Sequence, residues 1–114
     1  MELKGKKINF LGDSITEGVG ASEEQFMYPN VIAAECGLAA ARNYGISGTR
    51  IARQDDEENF GNPFCDRYLT MDDDADVVVV FGGTNDYGHG RAPFGSFDDR
   101  TGDTYYGAWH VLLR

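Results

Sequence analysis

Basic residues, cysteines and long apolar runs are all scarce in this chain of 114 residues. Ten lysines and arginines stand against 19 aspartates and glutamates, which gives a net charge of −9. Nucleic acids and anionic membrane surfaces both reward clusters of lysine and arginine, so we expect neither as a partner. The longest apolar run covers only residues 77–81, far below the length that crosses a bilayer. We therefore expect no membrane association.

The two cysteines, Cys36 and Cys65, form neither a C-x-x-C pair nor a cysteine–histidine cluster with metal-ligand spacing. We therefore expect no metal and no cofactor. Two reduced thiols are the favoured interpretation, although a single disulfide between them is compatible with the sequence. The charged start at residues 1–7 precedes an apolar stretch too short for a signal peptide. These features favour a cytoplasmic protein.

Hydrophobic residues make up 41% of the chain and aromatic residues 12%, so a packed core is feasible. The length suits one domain, and we predict a single domain over residues 1–114. Short apolar segments predict three strands, over residues 7–11, 42–46 and 76–81. The last of these is an unbroken β-branched run bounded by aspartate and glycine. It predicts a strand buried on both faces, as in a parallel sheet.

Helices are expected between the strands. One begins near Pro29, runs to about Cys36 and stops at Gly37. Another begins near Tyr105 and continues to the end of the chain. Residues 12–25 are expected as a loop with a helical turn, and residues 82–103 as a long glycine-rich loop. The alternation of strands and helices predicts an α/β fold with a parallel sheet.

In such sheets ligands bind beyond the carboxyl ends of the strands, so the segments that follow each strand carry the functional signal. GDSITEG follows the first strand at residues 12–18, SGT follows the second at 47–49, and GGTND follows the third at 82–86. They supply a hydroxyl, a glycine turn with backbone N–H groups, and a side-chain amide. Those groups are the components of an acyl-transfer site, with a nucleophile and donors for an oxyanion.

These segments carry a family resemblance. FLGDSITEG at residues 10–18 resembles the first block of the GDSL/SGNH hydrolases, NYGISG at 43–48 the second, and GTND at 83–86 the third. The resemblance extends from about residue 7 to residue 90. It implies a flavodoxin-like, three-layer α/β/α fold with a parallel sheet, the SGNH hydrolase fold. It also implies a serine esterase or lipase.

The resemblance assigns roles by position. Ser14 would be the nucleophile that forms an acyl-enzyme. The backbone N–H groups of Ser14 and Gly48, with the side-chain amide of Asn85, would form the oxyanion hole. The substrate would be a small ester, with an acetylated carbohydrate as one candidate.

The family takes its catalytic base from an Asp-x-x-His block near the C-terminus, and we find no such block in that position. His89 completes the spelling Asp86-x-x-His89, but within the third block, so it is a weak candidate for the base. His110 is expected to be a surface or interface residue. We expect a domain that is incomplete after about the third strand and weakly active or inactive by itself. A non-catalytic binding or interaction module that kept the scaffold is the alternative function.

Two further expectations concern surfaces. A third strand left at the edge of the sheet would expose an apolar edge, and a homodimer could cover it. Tyr105, Tyr106 and Trp109 either line a substrate cleft or form the packing face of the last helix.

Overall fold

The computed structural model describes residues 2–53 and 62–113. The chain divides into two compact units, one comprising Met1–Ser47 with Met71–Phe81 and the other Gly48–Thr70 with Gly82–Arg114. The part of the predicted polar stretch that covers residues 55–61 lies outside the described residues.

The first unit contains a parallel sheet of three strands. They are β1 (Lys7–Gly12), β2 (Ala40–Gly45) and β3 (Val77–Phe81), in the spatial order β2-β1-β3. Gly12 at the end of β1 lies in register with Gly45 of β2 and with Phe81 of β3, so all three carboxyl ends meet at one edge. The predicted parallel α/β sheet is confirmed. The second strand begins two residues before the prediction and ends one residue before it.

Strand β1 lies between the other two and carries the core. Phe10 and Leu11 are fully buried, and Ile8 is nearly so. The prediction that the third strand is buried on both faces is wrong, because Val78 is 50% exposed and Phe81 is 46% exposed. Among the described residues β3 pairs only with β1, so it is an edge strand.

Two helices accompany this sheet. Helix α1 (Ser14–Glu17) supplies the helical turn expected in the first loop, and a 3-10 turn covers Glu24–Phe26. Helix α2 (Tyr28–Cys36) has a proline in its first turn and ends at Gly37, as predicted. Gly37 adopts a left-handed φ of 65° and donates its N–H to Ala33, which caps carbonyls that the helix leaves unpaired.

Ion pairs link β2 and β1 to the segment that leads into β3. Arg42 and Lys7 both bind Asp74, with nitrogen–oxygen distances of 2.7 and 2.9 Å. The hydrogen bond from Arg42, followed by the one from Lys7, lowers the pKa of Asp74 to about 2. The pairs are partly or fully exposed, so they contribute little to stability.

The second unit is helical in its described part. It contains α3 (Phe64–Arg67), followed by a 3-10 turn at Tyr68–Thr70, then α4 (Thr84–His89) and α5 (Tyr105–Leu112). Helices α3 and α5 contact each other, and Arg53 binds both Asp66 of α3 and Asp103. Fully buried Ile51, Ala52, Phe64 and Ala108 form its core.

Helix α4 was not predicted, because the sequence analysis placed only a loop over residues 82–103. The sequence of α4, TNDYGH, consists mostly of weak helix formers, so propensity gave no signal for it. Gly83 precedes the helix with a left-handed φ of 114°, and tertiary hydrogen bonds to the side chains of α4 hold it in place. Within residues 2–53 and 62–113, no helix has both the length and the apolarity to span a bilayer.

Substitution of Gly12 by alanine tests the packing at the end of β1. A Cβ atom at this position would overlap the Thr16 side chain, whereas a Cβ at Gly88, inside α4, would meet no atom within 4 Å. We expect Gly12→Ala to lower the free energy of unfolding by about 1–3 kcal/mol through overpacking. The matched control Gly88→Ala should leave it unchanged or raise it by up to about 1 kcal/mol. Urea denaturation of both variants measures this, and equal stability of the two would contradict the packing argument.

Candidate active site

Ser14 lies at the first position of α1, two residues beyond the end of the central strand. Asp13 caps the helix, and its Oδ1 accepts the N–H of Ile15 at 3.0 Å. Asp13 is buried, while Ser14 is half-buried. Because β2 and β3 lie on opposite sides of β1, the strand order reverses at β1, which makes this the topological switch point of the sheet. Ligands of parallel α/β proteins bind at such positions.

Helix α1 is only four residues long, and side chains from other elements of the first unit hold it. The fully buried Thr16 shares a 2.7 Å hydrogen bond with the hydroxyl of Tyr28, and burial is the main cause that raises the pKa of Tyr28. The amide nitrogen of Asn43 donates to the Thr16 carbonyl at 2.6 Å. Sequence reasoning assigned no role to Thr16, Tyr28 or Asn43. Their hydrogen bonds join positions 12 and 27 residues apart, which no local pattern reveals.

The second motif contributes directly to the support of α1. The N–H of Ser47 donates to a carboxylate oxygen of Glu17 at 2.7 Å, and the Ser47 hydroxyl bonds to the same oxygen. A side chain at Gly45 would overlap the backbone of Glu17, so only glycine allows this approach of β2 to α1. The residues of the NYGIS segment therefore hold the helix that carries Ser14.

Gly48, in the second unit, adopts a left-handed φ of 78°, where a side chain would be strained. It is followed by the buried residues Thr49, Arg50, Ile51 and Ala52. Asn85 of α4 donates its side-chain N–H to the Thr49 carbonyl at 2.9 Å. The structure thus brings the side chain of Asn85 to the residue next to Gly48.

Asp86 reinforces the same arrangement. Its carboxylate accepts the N–H of Ile51 at 2.8 and 3.1 Å and the N–H of Ala52 at 3.2 Å. Two consecutive side chains of α4 therefore hold the backbone of residues 49–52, and Asp86 is a positioning residue that the sequence analysis missed. The sequence analysis used Asp86 only as the last letter of GTND and as the first residue of the Asp86-x-x-His89 spelling.

The two histidines lie in different helices. His89 is the last residue of α4, and its side chain lies outside the described part of the structure. His110 lies in α5, where its Nε2 is 2.6 Å from the carbonyl oxygen of Phe97 and its ring stacks edge-on against the Phe97 ring. Over the described ranges, no group of three or more histidine, cysteine, aspartate or glutamate side chains could hold a metal ion.

The candidate residues are distributed over both units. Ser14 belongs to the first, while Gly48 and Asn85 belong to the second and lie near each other there. The assignment of Ser14 as nucleophile, and of the N–H groups of Ser14 and Gly48 with the Asn85 amide as oxyanion donors, stays a prediction.

Comparison with known proteins adds independent evidence. Residues 10–109 match the GDSL-like lipase/acylhydrolase family. A search of curated proteins returns no match. A solved protein from Lactobacillus plantarum is 34% identical with a TM-score of 0.77, and the match covers 96% of this chain and 49% of that one.

Two more distant structures are also similar. A possible lipase from Chitinophaga pinensis is 25% identical with a TM-score of 0.60, and the match covers 95% of this chain and 42% of that one. A carbohydrate acetylesterase family member from Sinorhizobium meliloti is 22% identical with a TM-score of 0.58, covering 76% and 46% respectively. The chain spans about half the length of the solved structures that it matches.

The parallel sheet with flanking helices and the glycine-rich segments beyond its strands define an α/β protein of the SGNH hydrolase fold. Because the family match extends over most of the sequence, the chain belongs to the GDSL-like lipase/acylhydrolase family.

The role of Asp86 can be tested by amide hydrogen exchange. In Asp86→Asn, an amide N–H₂ group takes the place of one acceptor oxygen and faces backbone N–H donors. Losing hydrogen bonds to a charged group costs about 1.5–3 kcal/mol, so exchange at Ile51 and Ala52 should accelerate by about ten-fold or more. The control Asp98→Asn alters an exposed carboxylate of the same unit and should change neither rate. Unchanged exchange in Asp86→Asn would exclude the positioning role.

Proposed function

We propose that this chain carries the nucleophile and the oxyanion donors of a serine ester hydrolase of the esterase or lipase type. In this mechanism the Ser14 hydroxyl attacks the ester carbonyl and its proton passes to a base. The base then gives that proton to the leaving alcohol, and an acyl-enzyme remains. Water then releases the acid and restores the serine. Family membership supports the reaction class.

The position of Ser14 is the observation that carries this proposal. A half-buried serine begins a helix directly beyond the central strand of a parallel sheet, and partly buried hydrogen bonds hold that helix to α2 and β2. Such fixation matters because a nucleophile must be aligned with the carbonyl before the reaction begins.

The second unit supports the proposed oxyanion donors. The left-handed turn at Gly48 lacks a side chain, so a substrate oxygen could approach the backbone N–H closely. The Asn85 amide is fixed by its bond to Thr49 and carries no net charge. Donors that are oriented in advance stabilise the tetrahedral intermediate, and losing one typically costs about 2.7–4 kcal/mol.

A serine hydroxyl of ordinary acidity also needs a base. His110 is engaged with the Phe97 carbonyl, and we give it no catalytic role. His89 stays only a weak candidate for the base, and we propose that the chain by itself reacts slowly, mainly through binding and oxyanion stabilisation. A non-catalytic binding module is the alternative, and the reactivity of Ser14 distinguishes the two.

Serine reactivity provides the test. We expect a fluorophosphonate probe to label the chain at Ser14 and p-nitrophenyl acetate to be hydrolysed slowly above the buffer rate. Ser14→Ala should abolish both signals, because the attacking oxygen is gone. The control Ser22→Ala removes an exposed hydroxyl of the same unit and should leave both unchanged. Full hydrolysis by Ser14→Ala would refute the nucleophile assignment.

We propose a small ester as substrate, with an O-acetylated carbohydrate as one candidate to include in a substrate panel. We also propose that the protein works in the cytoplasm. Cys36 and Cys65 are both free thiols, which is consistent with a reducing compartment. Burial raises the pKa of Cys65 to about 11, so this thiol is poorly suited to act as a competing nucleophile.

We further propose that two chains associate through β3. This strand has an unpaired edge among the described residues and exposes half of Val78 and nearly half of Phe81. Exposed apolar edge strands are templates for pairing with another strand. A homodimer would cover both the backbone donors of that edge and its apolar side chains.

Light scattering across a concentration series tests this association. We expect a dimer for the wild-type chain and a shift to monomer for Val78→Lys, because a lysine on an edge strand opposes pairing. Leu69→Lys is the control, since Leu69 is 74% exposed but belongs to the second unit and not to β3. A wild-type chain that stays monomeric at high concentration would refute the dimer.

A further inference from the structure

Glu17 of the first motif has no part in the proposed chemistry, yet its carboxylate binds the second motif across 30 positions of the chain. One oxygen, Oε2, accepts the N–H of Ser47 at 2.7 Å and also accepts the Ser47 hydroxyl. Both residues are exposed. Because water competes for exposed hydrogen bonds, these two add little to the stability of the fold. Their main effect is therefore on geometry.

The two bonds to Glu17 restrain Ser47 at both its backbone and its side chain. The main-chain nitrogen and the hydroxyl oxygen lie within two covalent bonds of the Ser47 Cα, so fixing both of them fixes the residue. Hydrogen bonds to an ionised acceptor are stronger than neutral ones, which suits this purpose. The preceding residue is held as well, since the N–H of Ile46 donates to the Gly12 carbonyl at 3.1 Å.

The N–H of Gly48 belongs to the peptide group that begins at Ser47. Because that group is planar, only the torsion about the Ser47 Cα–C bond separates the restrained residue from this N–H. On the other side of Gly48, Asn85 holds the Thr49 carbonyl at 2.9 Å. Glycine has the most flexible backbone of all residues, and Gly48 is held at a φ of 78°. Its orientation therefore depends on its neighbours.

Glu17 shares the four-residue helix α1 with Ser14. Residues three apart lie on one face of a helix, so a single short element carries both groups. Gly45 packs directly against the Glu17 backbone, where a Cβ at Gly45 would overlap the Glu17 nitrogen. The element that carries the proposed nucleophile thus also fixes the residue before the proposed donor.

We infer that Glu17 is a positioning residue of the oxyanion hole, and that it orients the Gly48 N–H by restraining Ser47. This inference rests on the proposed function, because it takes Ser14 as the nucleophile and Gly48 as a donor. A donor that is not oriented in advance must be ordered during the reaction, which raises the barrier of the chemical step. Glu17 then acts on bond formation and not on the binding of the substrate.

Labelling of Ser14 by a fluorophosphonate tests this, since the tetrahedral adduct places an oxygen where the oxyanion forms. The concentration dependence of labelling gives a binding constant for the probe and a first-order constant for bond formation. We expect Glu17→Ala to lower the constant for bond formation by about ten-fold, less than the loss of about 100-fold or more that follows removal of a donor. The binding constant should not change.

Two further variants relate the effect to the hydrogen bonds. Glu17→Gln keeps an oxygen that can accept both of them, so bond formation should stay within about three-fold of the parent. Ser47→Ala loses only the hydroxyl bond and should give an intermediate loss. In the double variant, Ser47→Ala should add nothing to Glu17→Ala, because both substitutions act on the same contact.

Glu35→Ala is the matched control. Glu35 is an exposed glutamate of the same unit, on α2, so its removal changes the net charge equally. It should leave labelling unchanged. Urea denaturation verifies that all variants remain folded, which we expect because Glu17, Ser47 and Glu35 are exposed.

Several outcomes would overturn the inference. They are unchanged bond formation in Glu17→Ala, a loss confined to probe binding, a full loss in Glu17→Gln, additive losses in the double variant, or an equal loss in Glu35→Ala. The proposed function fails in a different way. A parent chain that is not labelled at Ser14 refutes that function and this inference with it, whereas a labelled parent with an unaffected Glu17→Ala refutes the inference alone.

Discussion

Close approach of backbone to backbone at the carboxyl end of the sheet is the constraint on which the first unit depends. Gly12 and Gly45 lie where any side chain would overlap α1, so both strands end directly against that helix. A four-residue helix is too short to be stable alone. It persists because its polar groups are bound by Tyr28, Asn43 and Ser47. The orientation of Ser14 is therefore a property of the whole unit.

In the second unit, side chains rather than glycines hold the buried backbone in place. Residues 49–52 are buried although they form no helix or strand, so their backbone groups need partners. Asn85 and Asp86 supply several of them, one as a donor to Thr49 and the other as an acceptor from Ile51 and Ala52. The residue proposed for oxyanion binding thus also holds the backbone of this segment.

Local patterns in the sequence located the strands and the two longer helices well. The β-branched run at residues 77–80 and the Pro29 and Gly37 signals of α2 depend only on neighbouring residues, and both elements were correct. Helix α4 was missed because its residues favour helix weakly and its stability comes from distant hydrogen bonds. The burial of β3 was mispredicted because burial depends on which elements cover the faces of the sheet, which a five-residue run does not encode.

The sequence by itself determined the family, the parallel α/β class and the identity of the motif residues Ser14, Gly48 and Asn85. Those conclusions need only residue types and their order along the chain. Tertiary structure decided which groups support the motifs, since Asn43 reaches Thr16 across 27 positions and Asn85 reaches Thr49 across 36. It also decided that rings from α4, the following loop and α5 surround one cavity. Hydrogen bonds and ring contacts of this kind depend on spatial proximity, which only the folded chain creates.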